Sequence, residues 1–228
     1  MAGLMREEFL RRVRRATARK IPPHAHDASP PEGQPGRMEP MDSLAETFAG
    51  QAEAAGMHVH RVSDLAEARA AVAELIRQAG AKAVLTWPTA PIDELGLDEV
   101  LSDDGIAVER WDASLPAEER KANAFAMDCG VTGVDYAVAE TGSLVVCSSP
   151  ERGRSVSLLG NVHIALVHEE QIVPDLYDLF PRLRADYLGA LPSNVTLITG
   201  PSKTADIELQ LVVGVHGPGA VHVVLVKP

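Results

Sequence analysis

Cysteine is scarce in this chain: Cys129 and Cys147 are the only two among its 228 residues. Two thiols make no disulfide framework and fall short of the four thiolates an iron–sulfur cluster usually takes, which excludes a cluster held by this chain alone. Positive charge is also short, with 21 Lys and Arg against 32 Asp and Glu and a net charge of −11. Neutralising phosphates needs a basic surface, so a nucleic-acid partner is not expected. No uncharged apolar stretch of about 18 residues occurs and no signal-peptide pattern opens the chain, so no membrane span is expected and the cytoplasm is the simplest location. Three nucleotide and nucleophile motifs are missing too. A P-loop would need glycine at Leu197 and Ser202, a nucleophile elbow would need it at Thr141 and Val145, and no G-x-G-x-x-G is present.

What is there suits one globular domain with two appendages. With 46% hydrophobic and 23% charged residues the chain can bury one good core. Residues 1–20 carry seven basic and two acidic side chains, a charge of +5, which leaves −16 on the remainder. Leu4, Phe9, Leu10 and Val13 fall at near-helical spacing, so this segment reads as a basic amino-terminal helix apart from an acidic body. Glu7 and Glu8 argue against a mitochondrial presequence. Residues 21–41 follow as a linker, since "IPPHAHDASPPEGQPGRMEP" holds six prolines and two glycines and almost nothing apolar. His24 and His26 lie in it without further ligands, so no metal is assigned.

From residue 42 to 228 the pattern becomes regular. Ser43 with Glu46 forms a capping box ahead of a helix that Gly56 closes, "MHVHRV" is a strand, and Ser63 is expected to cap the helix that ends at Gly80. "KAVLTW" and "IAVERW" are strands, and Pro116 starts a helix running to about Asp128. "DYAVAE", "SLVVCSS", "VHIALVH", "VTLITG" and "AVHVVLV" are apolar runs of the kind found in sheets covered on both faces, and "YDLFPRLRADYLG" is helical but interrupted at Pro181. The expected class is α/β: a three-layer αβα sandwich around a mostly parallel sheet, with antiparallel strands allowed around the "AETGS" turn. In such folds ligands bind beyond the carboxyl ends of the strands.

Two glycine-rich stretches follow apolar runs near the end, "GPSKTADIE" (Gly200–Glu208) and "GVHGPGA" (Gly214–Ala220). Glycine at a strand exit lets backbone amides approach an anion, so Gly200, Ser202, Lys203 and Thr204 can cradle a phosphate or carboxylate. Equally, Ser202 or Thr204 can simply cap a helix carrying Ile207, Leu209 and Leu211, and both readings stand. Glu140 in "AETGS" is either a solvating edge residue or a site carboxylate. Asp206 and Glu208 suit a helix start as well as a site. His216, with Gly214 and Gly217 close by, is a functional candidate, whereas His163 and His222 sit between valines and read as strand histidines facing the core. Arg152 and Arg154 could add positive charge to a site.

"GVTGVDYAVAETGSLVV" (Gly130–Val146), "GPSKTADIE" and "GVHGPGAVHVVLV" together resemble the LUD-domain family of lactate-utilisation proteins, in particular the short LutC/YkgG type. The resemblance covers about residues 42–228. It implies a fold similar to the NagB/RpiA/CoA-transferase superfamily and a part in oxidising L-lactate to pyruvate alongside iron–sulfur partner proteins. Carried over motif by motif, it points to Glu140, Asp206 and His216 as catalytic candidates and to Thr141, Gly142, Ser143, Gly200, Ser202, Lys203, Thr204 and Gly217 as ligand-binding residues. Lys203 stands where an arginine is common, which keeps the charge but not the bidentate geometry. The reading is therefore a non-cluster component of a lactate-oxidising complex that binds a small anion, with self-association left open. A stand-alone enzyme acting on a phosphorylated or CoA-linked metabolite is the alternative, and a purely structural adaptor the third.

Overall fold

The computed structural model describes residues 7–8, 10–12, 14–15, 43–188, 190–205 and 211–227. The first three groups are helical and fall in a unit of their own. The linker at 21–41 lies outside the described residues.

In the main unit the chain runs α1 Leu44–Ala54, β1 His58–Val62, α2 Leu65–Gln78, β2 Ala83–Thr86, α3 Ala90–Asp93, α4 Leu97–Leu101 and β3 Ala107–Arg110. Next come α5 Ala117–Ala126, β4 Cys129–Gly133, β5 Tyr136–Val138, β6 Ser143–Cys147, α6 Ser155–Leu158 and β7 Val162–His168. Last are β8 Ile172–Val173, α7 Leu176–Asp186, β9 Val195–Ile198, β10 Lys203–Ala205, β11 Leu211–Val213 and β12 Ala220–Val226.

Six strands form a wholly parallel sheet in the order β1-β12-β7-β4-β2-β3. Its inner strands, such as β7 and β12, are apolar on both sides because both faces are covered. On one face Val84, Val131, Ile164, Leu166 and Val224 pack with Val72 and Ile76 of α2 and Leu97 and Leu101 of α4. On the other, Leu85, Ala165, Val167, Val223 and Leu225 pack with Phe48 and Ala52 of α1 and with Ala137, Leu144 and Val146. Those last three belong to a second, mixed sheet, β8-β5-β6-β9, whose far side buries Val138, Val145 and Val173 against Leu179 and Leu183 of α7. The α/β class and the helix-flanked parallel sheet are as expected, and the antiparallel strands flank "AETGS" as allowed. The second sheet is an added layer.

Four local expectations need correcting. Asp64, not Ser63, caps α2: its carboxylate accepts the Glu67 amide at 2.8 Å while the Glu67 side chain accepts the Ser63 amide at 2.8 Å. A capping box at α1 is only half made, since Ser43 Oγ accepts the Glu46 amide at 3.3 Å but the Glu46 carboxylate turns to Arg61. Helix α7 runs unbroken through Pro181. Lys203–Ala205 and Leu211–Val213 pair as an antiparallel ribbon, so no helix starts at Ser202 or Thr204.

Strand β4 went unread because "CGVTG" has two glycines and a threonine where an apolar run is sought. It nevertheless lies between β2 and β7. A Cβ at Gly130 would fall 1.8 Å from the Val156 carbonyl oxygen, so glycine there lets α6 press directly on the sheet.

Candidate functional site

Helix α1 ends in a Schellman turn. Gly56 takes φ +96°, its amide donates to the Glu53 carbonyl at 2.9 Å, and the Met57 amide donates to the Ala52 carbonyl at 2.9 Å. The Ala55 carbonyl is left over, and Lys203 Nζ donates to it at 3.0 Å. A cation at the carbonyl end of a helix also meets the favourable end of its dipole.

Around this helix end the motif segments gather. Gly142 has φ +62°, and a Cβ there would lie 2.2 Å from the Ala52 nitrogen. The "AETGS" turn therefore rests on the α1 backbone. Gly200 has φ +90°, and its Cβ would lie 2.4 Å from the Ala55 oxygen. A chain of hydroxyls joins the two segments: Thr141 Oγ1 and Ser143 Oγ are 2.7 Å apart, and Ser143 Oγ and Thr199 Oγ1 are 2.6 Å apart. Ser143 is buried, whereas Glu140 and Thr141 are half-buried. Glu140 is held by its amide, which donates to the Pro174 carbonyl at 2.9 Å.

The third segment closes on the second. The Ser202 amide donates to the Pro218 carbonyl and the Gly214 amide to the Ser202 carbonyl, both at 2.9 Å. Gly217 faces Ser202, and a Cβ added to this glycine would lie 3.3 Å from the serine Cβ. Gly219 then donates to the Asn161 carbonyl at 2.9 Å, tying the loop to the start of β7. Thr204 is half-buried in the ribbon and His216 is exposed on the loop. Asp206 and Glu208 lie outside the described residues. Among the described residues no hydrogen bond joins Glu140 to Lys203 or His216.

The "AETGS" turn and Gly200 rest on the end of α1 that leads into β1, and Gly214–Gly219 leads into β12 and bonds to Asn161 just ahead of β7, so the segments cluster at the amino ends of the parallel strands, opposite the end expected. The carboxyl ends of β2 and β3 carry Trp87 and Trp111 instead. Trp87, 2% exposed, donates from Nε1 to the Gly153 carbonyl at 3.0 Å, and Trp111 donates to the Pro150 carbonyl at 2.9 Å. Arg152 does not offer a free charge: it pairs with Asp135 at 2.7 Å and lies 6.0 Å over the Trp87 ring. Tyr187 also donates to Asp135, at 3.0 Å, and Asp135 accepts the Cys147 amide at 2.6 Å. Burial, aided by Asp135, pushes the Tyr187 phenol up to about 12 against the pull of Arg152. Burial likewise raises Cys129 to about 12 and Cys147 to about 11, so neither thiol is a nucleophile near neutral pH.

Two participants escaped the sequence reading. Thr199 sits one residue ahead of "GPSK", and Asp135 one ahead of "YAV"; a polar residue at a strand boundary is too common a pattern to single either out.

A family model described as the LUD domain matches residues 45–226. Lactate utilization protein C of Halalkalibacterium halodurans is 37% identical over 65% of this chain and 64% of its own length. Protein YkgG of Escherichia coli is 34% identical over 93% of this chain and 94% of its own, and Lactate utilization protein C of Bacillus subtilis is 40% identical over 59% and 58%. The chain thus spans less than two thirds of the Halalkalibacterium protein and nearly all of the E. coli one. A crystal structure of a DUF162-family protein from Deinococcus radiodurans superposes with a TM-score of 0.58 at 24% identity, covering 80% of this chain and 96% of that one. That likeness concerns the fold.

Proposed function

Because the chain belongs to the LUD-domain family, matched over residues 45–226, we propose that it serves lactate utilisation as a component without a metal cluster of its own, binding a small anionic ligand where its three motif segments meet. The observation that carries this reading is the meeting itself: Thr141 to Ser143 and Gly200 to Lys203, far apart in the chain, rest on one helix end, and Gly214 to Gly219 close on Ser202.

Lactate and pyruvate are carboxylates, and the exposed ammonium of Lys203 with the hydroxyls of Ser202 and Thr204 supplies the partners a carboxylate needs. Glu140, His216 and Asp206 are the acid–base candidates. Taking L-lactate to pyruvate releases two electrons and two protons. In this reading the electrons pass to the iron–sulfur partner proteins that the family resemblance implies, since two cysteines fall short of the four thiolates a cluster usually takes.

The test is recovery of a tagged chain from its host grown on L-lactate, followed by lactate-dependent dye reduction with the recovered material and with the purified chain. Activity only in a complex with iron-bearing proteins, cut by Lys203→Ala or His216→Ala, is the expected result. Turnover of a phosphorylated or CoA-linked metabolite by the purified chain would favour a stand-alone enzyme instead. Full pathway activity in both variants would leave only an adaptor.

A further inference from the structure

Three histidines stand side by side at the edge of the parallel sheet, on the face covered by α2. His58 and His60 are two apart on β1 and so point the same way, and the register sets His222 of β12 opposite His58. The rings stack: centroids are 4.9 Å apart for His58 and His222 and 5.3 Å for His60 and His222, each pair inclined by 26°. His60 Nε2 and His222 Nδ1 are 3.1 Å apart. Such a contact needs one nitrogen bearing a proton and one bare, so it is satisfied by neutral rings and lost when both are cations.

Among the described residues no counter-charge is placed to relieve them. On α2, Glu67 is bound to the Ser63 amide, Arg69 to the Glu94 carbonyl, Glu74 to Gln78 and Arg77 to Asp104. Arg61, between the β1 histidines and Val62, turns to the opposite face and pairs with Glu46 of α1. The β7 neighbour of His222 is Ile164. Among the described residues no group of three or more His, Cys, Asp or Glu is arranged to hold a metal, so proton exchange is the chemistry this cluster offers.

We propose that the His58–His60–His222 stack is a proton-sensitive clasp, which ties edge strand β1 to β12 while neutral and forces the pair apart when protonated. The inference stands apart from any ligand at the motif segments, although β12 follows directly on Gly214–Gly219. Burial, with His58 and His60 adding, pushes His222 down to about 4, and burial followed by His58 lowers His60. Both folded values lie below the ordinary histidine value, so the unfolded chain takes up protons first. The stabilisation is complete above about pH 6.5 and is lost as pH falls towards about 4.

The test uses the full chain. Histidine ring resonances are followed by NMR from pH 8 to the lowest pH at which the fold persists, and melting temperatures are compared at pH 7.5 and 5.0 for the parent and for His60→Gln/His222→Gln. Rings of His60 and His222 should titrate well below the ordinary histidine value of about 6.5, and the double variant should lose roughly 5 °C of the parent's acid-induced drop. His163, fully buried and also near 4, is common to both proteins and cancels. Titration of the two rings at or above about 6.5, or an equal acid drop in the double variant, would overturn the clasp. Should the double variant fail to fold, the ring titration of the parent decides alone.

Discussion

At the amino ends of β1, β7 and β12 the segments meet backbone to backbone, whereas at the carboxyl ends of β2 and β3 they meet through two tryptophans and the Asp135–Arg152 pair. Glycine makes the first kind of contact: Gly142 and Gly200 bring whole turns against α1 with no side chain between. Large side chains make the second, with Trp87 buried and bonded to Gly153. The lesson is that Trp87 fills the carboxyl ends of β2 and β3 only, a cavity lined by Asp64, Glu94, His168 and Lys227 remaining at those of β1, β7 and β12, and that the glycines at the other end do a packing job whether or not a ligand also uses them.

The most damaging way to break the amino end is Gly142→Val, which puts a branched side chain at φ +62° and into the α1 backbone. A loss of more than about 4 kcal/mol is expected in urea unfolding; parental stability would show that the turn can lift off the helix. At the other end, Asp135→Ala strands Arg152 and should cost about 3 kcal/mol. The same measurement on Asp135→Ala/Arg152→Met should recover part of that loss, and simple addition of the two single effects would deny the coupling. Trp87→Phe removes the hydrogen bond to Gly153 and some volume, and a loss of about 1–2 kcal/mol is expected in thermal unfolding. The smallest effect on stability sharpens the comparison most. Lys203→Met should shift the melting temperature by no more than about 3 °C, since it removes one exposed helix-end contact, yet it should abolish lactate-dependent activity of the complex. A large melting shift with activity intact would make Lys203 a structural residue only.

Much of this was legible in the sequence. Long apolar runs such as "VHIALVH" and "AVHVVLV" announced buried strands because both their faces are covered, and Gly56 and Gly80 ended their helices as the spacing required. Strand β4 and the β10–β11 ribbon were missed for opposite reasons. The first trades apolar residues for glycine so that α6 can press on it, and in the second an alternation of small and charged residues fits a helix start as well as a strand. The motif residues could be picked out by chemistry, but not the sheet end at which they meet. That depends on which strand starts the loops pack against, and so on the pairing of β12 with β1 and β7, a long-range contact no local pattern carries.

That pairing also sets an order of events when the chain is made. His58 must wait for His222, about 160 residues later, before β1 has a neighbour. At roughly 5–20 residues per second, synthesis leaves the first strand without its partner for on the order of ten to thirty seconds. Over that time β1 keeps an open edge while β2, β3, β4 and β7 are free to pair with one another, and only the arrival of β12 joins the first strand to the rest of the sheet.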